Sequence, residues 1–276
     1  MSRVPHYVKS HGLGNVYLVI DPRDIPFELT PPRIRMICDR NTGIGSDGIL
    51  VVSPPTGADF GLRIFNPDGT GAEKSGNGIR IFAKFLREHG YTDRDELTID
   101  TPGGRVSCAL ERDDERVAYV TADMGRATFA GPSSIAVDGR QLDVTLVSMG
   151  NPHCVVIVPE LAAVDVPRLG RAIEHHAAFP DRTNVQFAEV KSRAEVAIEI
   201  WERGAGRTMA SGSSSCAVAA ACHRRGLVDR DVVVSMPGGR LEITVGEAYA
   251  IRMRGAVEEI STGDFSPDLL RLLARG

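Results

Sequence analysis

Laid on itself with a shift of 136 residues, the sequence repeats. Ser75 then meets Ser211 (211 − 75 = 136), Asn15 meets Asn151, Gly90 meets Gly226, and Arg94-Asp95 meets Arg230-Asp231. One residue out of step, Pro102-Gly103-Gly104-Arg105 meets Pro237-Gly238-Gly239-Arg240. Two copies of 136 use up nearly all of the 276 residues. Such a chain is expected to fold as two related halves, a first lobe at residues 1–134 and a second at 135–276, with the terminal segments able to cross from one to the other.

Each copy carries the same run of elements. A strand-like stretch follows a Gly-Asn turn: Val16–Ile20 after Asn15 in the first copy, Cys154–Val158 after Asn151 and Pro152 in the second. Short β-rich runs bounded by Gly and Pro come next, among them 48–52, 62–65, 184–187 and 196–201. Each copy then has one strong helix. In the first, Ile79, Phe82, Phe85 and Leu86 share a face that Ile81 widens, and Gly90 is placed to end the helix. In the second, Cys216–Cys222 is all Ala, Val and Cys, the composition of a helix buried all round, and Gly226 ends it. After each helix come a strand, the Pro-Gly-Gly-Arg turn and a further strand. The pattern reads as α+β: two pseudo-symmetric lobes, each a curved, mostly antiparallel sheet or partial barrel wrapped around its helix, with an active site in the cleft between them.

Composition removes several classes. Net charge is −4 with no basic block, which argues against nucleic-acid binding. The longest apolar run is far too short to span a membrane. No signal peptide is apparent at the N-terminus, and the 5 cysteines form no C-x-x-C pair. A cytoplasmic protein without zinc or disulfides is the expectation.

The chemistry-bearing motifs each have an ordinary reading beside them. Gly43–Gly48 matches G-x-G-x-x-G but precedes a strand instead of opening a helix, so it is a weak nucleotide signal. Ser75-Gly76-Asn77-Gly78 and Ser211-Gly212-Ser213-Ser214 stand just before the two helices. Serine there is a good N-cap. Capping does not explain the small residues that follow, whereas free N–H groups at a helix start suit an anion, so a carboxylate site is favoured. Asn66 meets Glu202 and Gly48 meets Asn184 at matching repeat positions. Singly these are turn residues. With His153, and with Arg203 as a bidentate clamp, they outline a pocket for a zwitterion.

These stretches together resemble the diaminopimelate epimerase family, of the cofactor-independent amino-acid racemases, along essentially the whole chain. The matching segments are HGLGN (11–15), CDRNTGIGSDG (38–48), RIFNPDG (63–69), SGNGIRIFAKFL (75–86), MGNPHC (149–154), NVQF (184–187) and ERGAGRTMASGS (202–213). The resemblance implies interconversion of LL- and meso-diaminopimelate, for lysine and peptidoglycan precursors, with no cofactor or metal and as a homodimer. One residue removes the α-proton and the other returns a proton to the opposite face. By resemblance, Ser75 and Ser211 occupy the two catalytic positions, and His153 and Glu202 tune their proton state. Asn15, Asn66, Asn151, Asn184 and Arg203 contact the distal end of the substrate. The N–H groups of Gly76, Asn77, Gly212 and Ser213 cradle the reacting carboxylate, and Glu202 also lies against the substrate.

One departure is chemically large, because the family carries cysteine at both catalytic positions. A free thiol has a pKa of ~8.5, lowered to ~3.5–7.5 in suitable surroundings. A serine hydroxyl lies several units higher, at ~1.36 kcal/mol per unit. A helix N-terminus returns only ~0.3–2 kcal/mol. A serine therefore needs a partner base, and His153 and Glu202 are the visible candidates. Several readings stay open: an epimerase working with serines, a relative with altered or lost catalysis that binds a zwitterionic amino acid, a racemase for another amino acid, or an engineered inactive form. Cys216, five residues beyond Ser211, reads as a small buried residue and not as a substitute nucleophile.

Overall fold

The computed structural model describes residues 5–275. The chain divides into two compact units, one running up to Ala122 and resuming at Ala256, the other Asp123–Gly255. This differs from a cut between residues 134 and 135. A C-terminal strand returns to pair with the first strand of the chain, which places the C-terminal segment in the first unit.

In the first unit, chain order gives β1 (His6–Gly12), β2 (Asn15–Ile20), α1 (Pro31–Cys38), β3 (Ile49–Ser53), β4 (Phe60–Phe65), β5 (Gly71–Ala72), α2 (Gly76–Glu88), β6 (Glu96–Thr101), β7 (Gly104–Asp113) and β8 (Arg116–Arg126), whose last residues enter the second unit. The second unit continues with β9 (Thr128–Phe129), β10 (Ser134–Val137), β11 (Arg140–Ser148), β12 (Pro152–Ile157), α3 (Val166–Glu174), β13 (Asn184–Ser192), β14 (Glu195–Glu202), β15 (Gly206–Thr208), α4 (Gly212–Arg224), β16 (Asp231–Met236), β17 (Gly239–Val245) and β18 (Ala250–Ala256). The chain then adds β19 (Glu258–Asp264) and α5 (Pro267–Leu273) to the first unit. The fold is α+β, mostly sheet with few helices.

The two units use one ladder. In the first it runs β19-β1-β2-β3-β4-β6-β7-β8, antiparallel except at β2–β3 and β4–β6. In the second it runs β11-β12-β13-β14-β16-β17-β18, parallel only at β12–β13 and β14–β16. These are the same two joints. The helices α2 and α4 begin 136 residues apart and have equal length. Helix α2 touches β1 and β2 near one end of the ladder and β7 near the other, so the sheet curls around it. Helix α4 touches strands from β11 to β17 in the same way.

That curl explains a correction. The sequence pattern makes α2 amphipathic, yet Gly76–Leu86 is buried throughout, Arg80 and Lys84 included. Buried charges persist only when paired. Arg80 donates to the Gly76 carbonyl at 3.1 Å and to Asn77 Oδ1 at 2.9 Å. Lys84 meets Glu88 at 2.8 Å and the Val117 carbonyl at 2.5 Å. Both helices close as expected at a left-handed glycine, Gly90 (φ 74°) and Gly226 (φ 71°), with Tyr91 N bonded to Leu86 O and Leu227 N to Cys222 O.

The opposite sheet face is covered too. In the first unit Leu18, Ile20, Ile49 and Val51 pack on Ile34 and Ile37 of α1 and on Phe265 and Leu273. In the second, Cys154, Val156, Val185 and Phe187 pack on Val166 and Ile173 of α3. Strands at the centre of each ladder are thus buried on both faces, which fixes the register at the helix starts.

Candidate active site

Ser75 and Ser211 are the N-caps of α2 and α4, each in extended backbone. A helix start leaves its first N–H groups without intrahelical partners. Those of Gly76 and Asn77, and of Gly212 and Ser213, occupy these positions and make each start suited to an anion.

The two hydroxyls differ in what they touch. Ser75 Oγ caps its helix, accepting the Gly78 N–H at 3.1 Å, and lies 3.2 Å from the Tyr17 hydroxyl. Ser211 makes no side-chain cap bond. Its hydroxyl lies near the carboxyl of Glu202, the last residue of β14, and favours the ionised form of that carboxyl. Burial pushes the Glu202 carboxyl up, and the nearby Ser211 hydroxyl offsets part of that rise. A carboxylate that is hard to keep ionised is a stronger proton acceptor, which is what a serine base needs.

His153 is held elsewhere. It is 2% exposed, and burial together with the nearby Arg203 charge takes its pKa down to about 3. Its Nδ1 faces Gln186 Nε2 at 3.0 Å and its Nε2 faces Asn151 Oδ1 at 3.0 Å. Gln186 Nε2 also donates to Ser214 Oγ at 3.0 Å, while Gln186 Oε1 has no partner. Turning that amide over would leave two N–H hydrogens without partners in place of one acceptor, so the orientation shown is the cheaper. The imidazole is then neutral, with the proton on Nε2. Glu202, and not His153, is the titratable group that the Ser211 hydroxyl influences.

The remaining expected residues fall into two clusters. In the first unit Asn77 Nδ2 donates to Asn15 Oδ1 at 3.2 Å, and Asn15 Nδ2 reaches Asp47 Oδ2 at 3.4 Å. Asp47 also accepts the Val16 N–H at 2.9 Å, so Asn15 is fixed beside the start of α2. Asn66 does not join this group by hydrogen bonding; its amide donates to Thr70 Oγ1 at 3.0 Å across a turn. In the second unit Asn184 accepts the Arg203 N–H at 3.0 Å and donates to the Pro152 carbonyl at 2.9 Å. The exposed Arg203 guanidinium donates to the Asp181 carbonyl at 3.2 Å.

Besides Asp47, four residues tied to these clusters are not among the expected site residues. Tyr17 was available in the sequence, since it meets His153 under the same shift of 136. Gln186 and Ser214 also match a pair, Leu50 and Gly78. Glu174, at the end of α3, had no local signal. Its buried carboxylate accepts Trp201 Nε1 at 2.8 Å and Gly204 N at 2.9 Å, gripping the chain on both sides of Glu202-Arg203. Burial would raise its pKa, but these bonds hold it below the usual range.

All 5 cysteines are buried and free, Cys216 among them. Among the described residues no group of His, Cys, Asp and Glu could hold a metal ion, and no helix is long and apolar enough to cross a membrane.

The family model described as diaminopimelate epimerase matches residues 7–130 and 145–260. The diaminopimelate epimerase 2 of Nostoc sp. (strain PCC 7120) is 41% identical, over 96% of this chain and 97% of its own. The diaminopimelate epimerase of Moorella thermoacetica is 40% identical, over 95% of this chain and 100% of its own. Among solved structures, a hydroxyproline epimerase from Agrobacterium vitis superposes with a TM-score of 0.76 at 17% identity, covering 96% of this chain and 93% of that one. A phenazine biosynthesis protein from Bacillus anthracis gives 0.70 at 14% identity, covering 96% and 99%. These two likenesses establish the fold.

Proposed function

The chain belongs to the diaminopimelate epimerase family, and from that premise we propose that it interconverts LL- and meso-diaminopimelate by two-base proton transfer at the α-carbon. The observation that carries this reading is the helix-start serine repeated in each unit, with a carboxyl of raised pKa beside one of them.

In one direction Ser211 takes the α-proton while its own hydroxyl proton passes to Glu202. Ser75 gives its proton to the opposite face of the same carbon. The N–H groups of Gly76, Asn77, Gly212 and Ser213 hold the reacting carboxylate, whose negative charge suits the two helix starts. Asn15, Asn66, Asn151, Asn184 and Arg203 bind the distal amino-acid end. His153 acts as a neutral ring that fixes Asn151 and leaves the positive charge to Arg203. The enzyme works in the cytoplasm as a homodimer without pyridoxal phosphate, serving lysine and peptidoglycan-precursor synthesis. Support for these last points is the family assignment alone.

A second reading, binding of a zwitterionic amino acid without turnover, draws on the serines themselves, because a hydroxyl is a far weaker acid than a thiol. Stereochemical analysis of LL-diaminopimelate after incubation with enzyme at high concentration separates the two. Appearance of the meso isomer supports the epimerase. Binding by calorimetry with unchanged stereochemistry supports the second reading, and inversion of proline or histidine derivatives in its place would move the substrate class.

A further inference from the structure

Among the described contacts Ser75 has no carboxylate like the one beside Ser211, yet its oxygen is approached by a second hydroxyl. We propose that Tyr17 is a further catalytic residue, whose phenol replaces the proton that Ser75 gives to substrate, as Glu202 serves Ser211 in the other unit. The inference rests on Ser75 being a proton-transfer group.

Three observations carry it. The Tyr17 hydroxyl lies 3.2 Å from Ser75 Oγ. Ser75 Oγ already accepts the Gly78 N–H at 3.1 Å. With the phenol donating as well, two donors converge on one oxygen, and the hydroxyl hydrogen of Ser75 is left to point elsewhere. That is the arrangement of an acid whose conjugate base is stabilised before it forms.

The third observation is the slot that holds the ring. A Cβ on Gly48 would stand 2.7 Å from Tyr17 Cε1 and 2.5 Å from the Phe65 carbonyl oxygen. Only glycine leaves room for the phenol to reach past β3. In the second unit the matching residue is Asn184, and a smaller imidazole, His153, takes the place of the phenol. The first unit is therefore shaped around this tyrosine, which is only 7% exposed.

The step balances. As the α-carbanion takes the Ser75 proton, a C–H bond forms and the Ser75 O–H bond breaks. The Tyr17 O–H bond then breaks as its proton moves to Ser75 Oγ, and the charge rests on the phenolate oxygen. In the reverse direction the phenolate takes the Ser75 hydroxyl proton while Ser75 takes the α-proton. Solvent water returns the phenolate and the Glu202 acid to their starting forms between turnovers.

The test is Y17F in two backgrounds, the natural chain and S75C, with kcat/KM measured for conversion of LL- to meso-diaminopimelate. Phenylalanine keeps the ring in its slot and removes only the hydroxyl. With Ser75 present the loss is expected to be at least ~10-fold, less than the ~10²–10⁴-fold of a lost general acid or base because the phenol acts one step behind Ser75. With S75C it should be under ~3-fold, since a thiol ionises near neutral pH without a relay. Equal losses in both backgrounds would mean that the tyrosine only supports the fold, and would overturn the proposal while leaving the epimerase reading standing. No conversion by the natural chain, with substrate bound, would overturn the epimerase reading and the role of Tyr17 with it.

Discussion

The starts of α2 and α4 come from one repeated pattern and have diverged in what they place around the serine. At α2 a phenol approaches Ser75 and the hydroxyl caps the helix. At α4 the hydroxyl makes no cap bond and has the Glu202 carboxyl near it. Supporting pairs changed together. Leu50 packs against Gly78, whose Cβ would come within 2.9 Å of it, whereas Gln186 bonds Ser214 at the matching positions. Gly48 admits the Tyr17 ring, whereas Asn184 fills that place and ties Pro152 to Arg203. The lesson is that duplication supplies two equivalent backbone sites, while side-chain partners decide which serine is the readier base. Under the proposed mechanism that is Ser211.

The largest effect expected from breaking this asymmetry comes from replacing both hydroxyls by thiols. In S75C/S211C each site ionises without help, and the epimerisation rate should rise by on the order of 10³-fold, about 4 kcal/mol of barrier at ~1.36 kcal/mol per tenfold. An unchanged rate, read by conversion of LL- to meso-diaminopimelate, would remove both serines from the mechanism.

E202Q tests the carboxyl half alone. It should lower kcat/KM by about 10²-fold, the smaller end of general-base effects. The sign of the pH dependence follows from burial. Glu202 must be ionised to accept the Ser211 proton, and its pKa is raised. Activity should therefore fall as pH drops through that raised value, above the ordinary carboxylate range. E202Q should abolish this acid limb. A retained limb would assign it to another group.

G48A sharpens the packing difference. Its Cβ would overlap the Phe65 carbonyl and the Tyr17 ring, and overpacking of this kind costs about 1–3 kcal/mol. Denaturant unfolding measures that cost. The same variant should displace the phenol from Ser75 and lower activity in step with Y17F. N184G, which opens the matching place in the second unit, should loosen Arg203 and raise KM for substrate more than it lowers kcat.

The smallest effect is on stability. S75A removes a helix cap and should lower unfolding free energy by about 1 kcal/mol. S211A removes no cap and should fall short of that loss. A thermal melt of each variant compares them directly, and equal losses would contradict the different hydrogen bonding at the two helix starts.

Much of this site is legible in the sequence because it sits at helix ends. Ser75, Ser211, Gly90 and Gly226 mark boundaries with local physical causes, and a shift of 136 aligns them without any structure. The asparagines are legible only as turn residues; their partners depend on which strands lie side by side. Tyr17 was missed for that reason, since its bond to Ser75 needs the pairing of β2 with β3 and a missing Cβ at Gly48. Burial of Arg80 and Lys84 could not be read either, because a charged residue signals exposure until a curled sheet supplies its partners. The sequence allows the terminal segments to cross between units, but which pairing does so is a matter of sheet register: β19 pairs with β1 across almost the entire chain length.

The central claim is that Ser211, relayed by Glu202, and Ser75 move protons at one α-carbon. Incubating the natural chain with LL-diaminopimelate in deuterium oxide and reading the α-position by mass spectrometry and chiral separation tests it most directly. The account predicts deuterium in the meso product from the first turnover, with S75A and S211A each abolishing its formation. Substrate that binds but returns without deuterium and without inversion, at any enzyme concentration, would contradict it.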